Sequence, residues 1–275
     1  NFSSVASSME RLEESFNTYC KIVMTGFAER NAHLLGEEAV EKLRELKTGD
    51  ALLGSLCQSA NSKGQKIYLI LDEYDNFANN ILVDYGNERY RSITHGSGFF
   101  RGFLKVVKDY SNSVIERIFL TGVSPVTMDD LTSGFNIAAN YSNSPTFNNM
   151  MGFNEQEVRT LIDYYKSYRK LPHTTNELID IMKPWYDNYC FALKALKEPS
   201  MYNSDMVLYF MNHYMLNEDI PENMLDANIR TDYNKLRHLI HVDRTFGENA
   251  SMVQEIVEKG STTGIIADSF PDRKS

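Results

Sequence analysis

The stretch Lys66-Ile67-Tyr68-Leu69-Ile70-Leu71-Asp72-Glu73-Tyr74-Asp75 constrains this chain more than any other. An unbroken apolar run, Ile67 to Leu71, ends abruptly in acidic residues. Its length suits a strand, and its continuity predicts a strand covered on both faces in a parallel α/β sheet. Ligands of such sheets bind beyond the carboxyl ends of the strands. Asp72 and Glu73 are therefore predicted at a ligand edge.

That form is the magnesium-and-water strand of a nucleotidase, the Walker B pattern. In phosphoryl transfer a strand-end Asp holds Mg²⁺ and a neighbouring group orients the attacking water. The expectation is Asp72 for the metal and Glu73 for the base. The same text also suits a buried strand that simply exits into solvent. A second run, Arg117-Ile118-Phe119-Leu120-Thr121-Gly122-Val123-Ser124-Pro125, has the same shape. Between the two lies room for a helical crossover, with apolar residues at helical spacing from Gly98 to Tyr110. Thr121 is the expected polar sensor beside the carboxylates, able to bond a γ-phosphate or the attacking water. Its bland alternative is a hydroxyl satisfying its own backbone. A phosphate loop of the form GxxxxGK[ST] is not in the sequence, since none of the fifteen glycines is followed by lysine.

Taken in order, Leu71-Asp72-Glu73-Tyr74-Asp75-Asn76-Phe77, Phe119-Leu120-Thr121-Gly122-Val123-Ser124-Pro125, Asp130-Leu131-Thr132-Ser133-Gly134-Phe135-Asn136, Met151-Gly152-Phe153, Trp185-Tyr186-Asp187-Asn188-Tyr189 and Tyr202-Asn203-Ser204 carry a resemblance. The chain resembles the predicted AAA-ATPase-like family of anaerobic bacteria and some archaea, over about residues 60 to 240. The resemblance implies a P-loop ATPase core, ATP and Mg²⁺ as cofactors, and a helical lid. It also implies a PD-(D/E)XK nuclease-like domain after the lid in many members. The family's phosphate loop would then lie upstream of residue 1, with Asn1-Phe2-Ser3 as the end of the strand that follows it. A segment without that loop is expected to bind ATP weakly or not at all, and to be inactive alone. Tyr189-Cys190-Phe191 departs from the family's basic-aromatic continuation.

The expected fold is α/β: part of a P-loop-type parallel sheet with flanking helices over residues 1–150, then a helical lid-like subdomain over 151–275. The 275 residues suffice for one large domain or two modest ones. A net charge of −9 argues against a phosphate-backbone footprint, so no direct nucleic-acid binding is expected. Cys20, Cys57 and Cys190 form no metal or disulfide pattern and suit a reduced, cytoplasmic protein. No apolar run has transmembrane length, and no membrane partner is expected.

Along the chain, residues 7 to 30 predict a helix with a stripe of Met9, Leu12, Phe16, Tyr19, Cys20, Val23 and Phe27, capped by Ser7 with Glu10. Further helices are predicted over about 37–46, 49–62, 154–169, 175–189, 204–216, 230–241 and 248–259, with Asn154 and Glu157 as a capping box and Ser204 as a cap. Short strands are predicted over 135–141 and 262–270. Arg159, Arg230 and Arg237 are candidate lid cations, and Trp185-Tyr186-Asp187 is expected to pack lid helices together. His95-Gly96-Ser97-Gly98 is a connection before a helix. His213, His238 and His241 have no carboxylates at metal-ligand spacing, and Asp129 and Asp130 suit a turn. Two functions follow. One is the Walker B, sensor and lid portion of an ATPase driving an effector. The other is a non-catalytic interaction or regulatory module on the same fold.

Overall fold

Leu12, Phe16, Cys20, Met24 and Ala28 are buried along helix α1 (Leu12–Arg30), one residue every four. This row is a single helical face. It keeps Leu12, Phe16 and Cys20 of the expected stripe but continues through Met24 and Ala28, so Val23 and Phe27 remain exposed. The chain continues through α2 (Ala32–Leu35), α3 (Glu37–Glu45) and α4 (Gly49–Ser62). A side chain at Gly49 would place Cβ 2.7 Å from the Phe16 ring and 3.1 Å from the Cys20 sulfur. Glycine there lets the start of α4 lie against α1.

The computed structural model describes residues 1–6, 8–122, 139–226 and 248–262. They fall into two compact units, Asn1–Ala139 with His238–Ser275, and Asn140–Arg237. In the first, strand β1 (Ile67–Leu71) is followed by α5 (Asn76–Tyr85), α6 (Asn87–Thr94) and α7 (Phe99–Tyr110). These helices return the chain to β2 (Ile115–Leu120), which pairs parallel to β1 with Leu69 opposite Ile118 and Leu71 opposite Leu120. The result is a mostly helical α/β unit with a two-stranded parallel sheet among the described residues.

One face of that sheet packs on the helices through Ile67, Leu71 and Ile115. The expectation of cover on both faces is not met. Tyr68 and Ile70 are 61% and 59% exposed, and Phe119 opposite Ile70 is 40% exposed. Continuous apolarity reports strand length and β propensity; it does not by itself report two covered faces.

The core beneath the covered face is aromatic. Phe16 lies 5.3 Å from Phe2, 5.9 Å from Phe77, 5.0 Å from Phe99 and 5.4 Å from Phe103, centroid to centroid. Tilted and edge-on contacts of this kind add to the area each ring buries.

The second unit is built on α8 (Glu155–Tyr168), α9 (Thr175–Tyr186) and α10 (Ser204–Asn217), around Val158, Ile162, Leu178, Met182, Val207 and Phe210. Asn154 and Glu157 form the expected capping box, and Thr174 with Glu177 forms another. The backbone hydrogen bond from Thr174, first, with its hydroxyl, holds the Glu177 carboxyl below its usual range. The cap of α10 is Asn203, whose side chain accepts from the Met206 amide, and not Ser204. Helix α9 ends at Tyr186, short of the expected residue 189. Pro184 sits in its last turn, where proline removes an N–H and crowds the preceding carbonyl. The chain then forms β3 (Asp187–Tyr189), antiparallel to β4 (Met201–Tyr202). Tyr186 is buried and donates to the Met224 carbonyl at 2.7 Å, whereas Trp185 is exposed. Asp187 accepts from the Ser200 hydroxyl at 2.7 Å.

Residues 248–259 form α11 (Glu248–Lys259) as expected. The Ser7 cap, the 230–241 helix, Arg230, Arg237, His238, His241, Asp129 and Asp130 lie outside the described residues, as does nearly all of the 262–270 strand. So do residues 135–138 of another expected strand; Ala139 to Tyr141 carry none. Among the described residues no helix is long and apolar enough to cross a membrane.

Phe16→Ala is expected to lower the unfolding free energy by about 3–5 kcal/mol in a denaturant titration, since it empties the centre of the aromatic cluster. Burial pushes the thiols of Cys20 and Cys57 up to about 12, and Cys190 is exposed. At pH 8 a thiol reagent should therefore label Cys190 alone in the native protein, and all three cysteines after unfolding.

Candidate functional site at the carboxyl ends of the paired strands

Parallel pairing in this register brings the first residues beyond each strand, Asp72 and Thr121, side by side. The ladder runs one step past the strands: the Thr121 amide donates to the Leu71 carbonyl at 3.0 Å, and the Tyr74 amide donates to the Thr121 carbonyl at 3.0 Å. Between these bonds Glu73 is held at φ 50°, the left-handed region. Outside glycine this conformation is uncommon and costs about 1 kcal/mol or more, so its neighbours must enforce it.

Thr121 serves both acids. Its hydroxyl donates to Asp72 Oδ1 and accepts from the Glu73 amide at 3.4 Å. A hydroxyl has one proton, and here that proton goes to Asp72. The second Asp72 oxygen, Oδ2, accepts from the Asn1 side-chain amide at 2.7 Å, and the Asp72 carbonyl accepts from the Phe2 amide at 2.9 Å. Glu73 Oε2 accepts from the Asn76 side chain at 2.9 Å. Asp72, Glu73 and Thr121 are all partly exposed, so water reaches each of them.

Asp75 and Tyr74 support this edge from below. Asp75 is fully buried and accepts from the Asn79 side chain at 2.7 Å. Burial, and then the Asp75 carboxylate, raise the pKa of the Tyr74 phenol, which stays protonated at neutral pH. Gly122 closes over both. A Cβ there would lie 2.5 Å from Asp75 Oδ1 and 2.6 Å from the Tyr74 ring.

The arrangement can hold a hard cation and a water molecule together. All its charged donors are carboxylate oxygens, the ligand type Mg²⁺ prefers, in a setting of several negative charges. Among the described residues no three His, Cys, Asp or Glu side chains form a metal-binding group. Mg²⁺ needs no such cage, because one or two carboxylates with substrate phosphates commonly hold it. The residues present therefore fit an Mg²⁺ carried on a phosphate substrate.

The structure thus brings together Asp72, Glu73 and Thr121, the three residues singled out from sequence. Arg159 belongs to the other unit, where it pairs with Glu155 at 2.8 Å and bonds Asn176 at 2.7 Å. Hydrogen bonds from Lys183 first, and then Arg159, hold the Glu155 carboxyl below its usual range. Sequence reasoning missed Asn1, Asp75, Asn76 and Gly122. For Asn76 the available signal was helical spacing: Asn76, Asn79 and Asn80 share one turn directly after the acids.

The two parallel strands present acids and a hydroxyl at one carboxyl edge, the edge where ligands of open α/β sheets bind. Residues 1–132 match the model of the family described as "AAA-ATPase_like: Predicted AAA-ATPase". The match includes Asp72, Glu73, Asn76, Thr121 and Gly122, and excludes the resemblances beyond residue 132. No curated protein and no solved structure matches the chain.

Gly122→Ala is expected to cost about 1–3 kcal/mol of stability by denaturant titration, because the new methyl must displace a buried carboxylate and ring.

Proposed function

We propose that the chain carries the catalytic edge and lid portion of a P-loop-type ATPase that hydrolyses Mg·ATP. One observation carries the reading: Thr121 bonds the Asp72 carboxylate while its acceptor side steadies the strained backbone of Glu73. A strand that merely exits into solvent has no use for a left-handed glutamate pinned between two ladder bonds.

In this reading Asp72 is the residue that holds Mg²⁺. Its two oxygens are already oriented by Thr121 and Asn1, so little side-chain freedom is lost when the site is used. Bound Mg²⁺ neutralises charge on the phosphates and makes the transferred phosphoryl group a better electrophile. Glu73 orients the attacking water and takes its proton at the carboxylate. Thr121 is the polar sensor, because any rearrangement of Asp72 must break or re-aim its only hydroxyl proton. The phosphates themselves require a cradle of backbone amides and a lysine, which the family resemblance supplies as a P-loop. The second unit is proposed as the lid, and a nuclease-like effector domain as the output, both on the family resemblance. Cysteines that are all free suit a cytoplasmic setting.

The test is Mg²⁺-dependent ATP hydrolysis by the full encoded protein. Asp72→Ala should abolish the metal-dependent rate. Glu73→Gln should retain ATP binding and lose about 10²-fold or more in kcat, the usual scale of a general base. Unchanged hydrolysis in Glu73→Gln would remove that residue from the mechanism. Absence of hydrolysis by the wild type, folded and supplied with Mg·ATP, would favour the non-catalytic module.

A further inference from the structure

The backbone of Glu73 is fixed by the strand ladder, but its side chain has free torsions and acidic neighbours. Asp72 precedes it and Asp75 follows closely, so repulsion would turn an unrestrained Glu73 carboxylate outward. A short amide ladder on α5 opposes this. Asn76 Nδ2 donates to Glu73 Oε2 at 2.9 Å, and Asn80 Nδ2 donates to Asn76 Oδ1 at 3.2 Å. Asn76 and Asn80 are four residues apart and share one helix face. Phe77, Ala78 and Ile81 are fully buried and lock that helix to the core.

The chemistry of the ladder is directional. A primary amide has a donor end and an acceptor end. An ionised carboxylate only accepts, so the Asn76 nitrogen faces Glu73, and the Asn76 oxygen is left to accept from Asn80. A neutral donor is the suitable partner for a base: a lysine there would hold the carboxylate's charge, and an acid would repel it. Among the described residues only Oε2 is engaged, and Oε1 receives no hydrogen bond from them. We propose that Asn76 is a positioning residue that aims Glu73 Oε1 at the attacking water, and that Asn80 braces Asn76 through its oxygen. The proposal rests on Glu73 being the base in the ATPase reading above.

Two measurements on the full encoded protein separate the ladder from that reading. The first needs no activity. In ¹⁵N-labelled, nucleotide-free protein, the side-chain amide signals of Asn76 should shift in both Glu73→Gln and Asn80→Ala. Signals that stay in place in both variants overturn the ladder. The second is steady-state Mg·ATP hydrolysis with thermal unfolding of each variant. Asn76→Ala should lower kcat about tenfold with KM within about twofold, the size of a lost orienting contact. Asn76→Asp should fall further despite its matching shape, and Asn80→Ala should lose less than either. Unfolding midpoints should stay close to wild type. Full kcat in Asn76→Ala overturns the positioning role even if the amide signals move. No hydrolysis by the wild type overturns the base reading and the catalytic role of Asn76 with it, while shifted amide signals would still establish the ladder as structure. Should Asn76→Ala fail to fold, the partly exposed Asn80→Ala carries both readouts.

Discussion

Everything at the candidate site depends on the parallel register of two short strands. Leu71 opposite Leu120 sets Asp72 opposite Thr121, and a slip of one residue would turn the side chains to opposite faces. The ladder bonds beyond the strands, from Thr121 to Leu71 and from Tyr74 back to Thr121, extend that register into the loops. Glu73 lies between them and takes its left-handed conformation as a consequence. The local strain is small beside the cooperative pairing that imposes it.

The register is in turn held by what lies under one face of the sheet. Phe77 belongs to the first turn of α5, immediately after the acids, and it meets Phe100 of α7 edge-on at 4.8 Å and Phe2 edge-on at 6.0 Å. The helix that leaves β1, the helix that leads into β2, and the start of the chain thus meet in one aromatic cluster. Phe2 also brings Asn1 beside Asp72. Packing below and hydrogen bonding above are therefore the same constraint seen from two sides.

How far the sequence was readable follows from the range of each interaction. Strands β1 and β2, helix α4 and the Asn154 capping box were legible because their signals are local: an apolar run, a helical period, an acceptor followed by Glu. The grouping of Asp72, Glu73 and Thr121 was legible once a parallel crossover was assumed. Helix α5 was not, since Asn76, Asn79 and Asn80 are poor helix formers; burial of Phe77, Ala78 and Ile81 overrides that preference. The core face of α1 was read correctly at Leu12, Phe16 and Cys20 and misread beyond them, where Val23 and Phe27 flank the buried Met24 and Ala28. The open sheet face was illegible for a different reason. Tyr68 and Ile70 are residues that a covered strand would also carry, and composition does not record what lies across from them. Gly122 and Asp75 meet only after a crossover of many residues, so no local pattern marks them.

The hydroxyl of Thr121 shows how few groups hold the edge together. It has one proton to give and two lone pairs to receive with, and the structure gives the proton to Asp72 and one acceptance to Glu73. Serine could make the same bonds but lacks the methyl that restricts χ1 in a strand. Valine would fill the space and leave Asp72 Oδ1 and the Glu73 amide short of partners, at about 1–3 kcal/mol for each that stays buried. The same side chain thus fixes the acid proposed for the metal and steadies the backbone of the acid proposed for water. Any movement of Asp72 is felt at Glu73 through a single oxygen atom. That coupling, rather than either carboxylate alone, distinguishes this strand end from an ordinary exit into solvent.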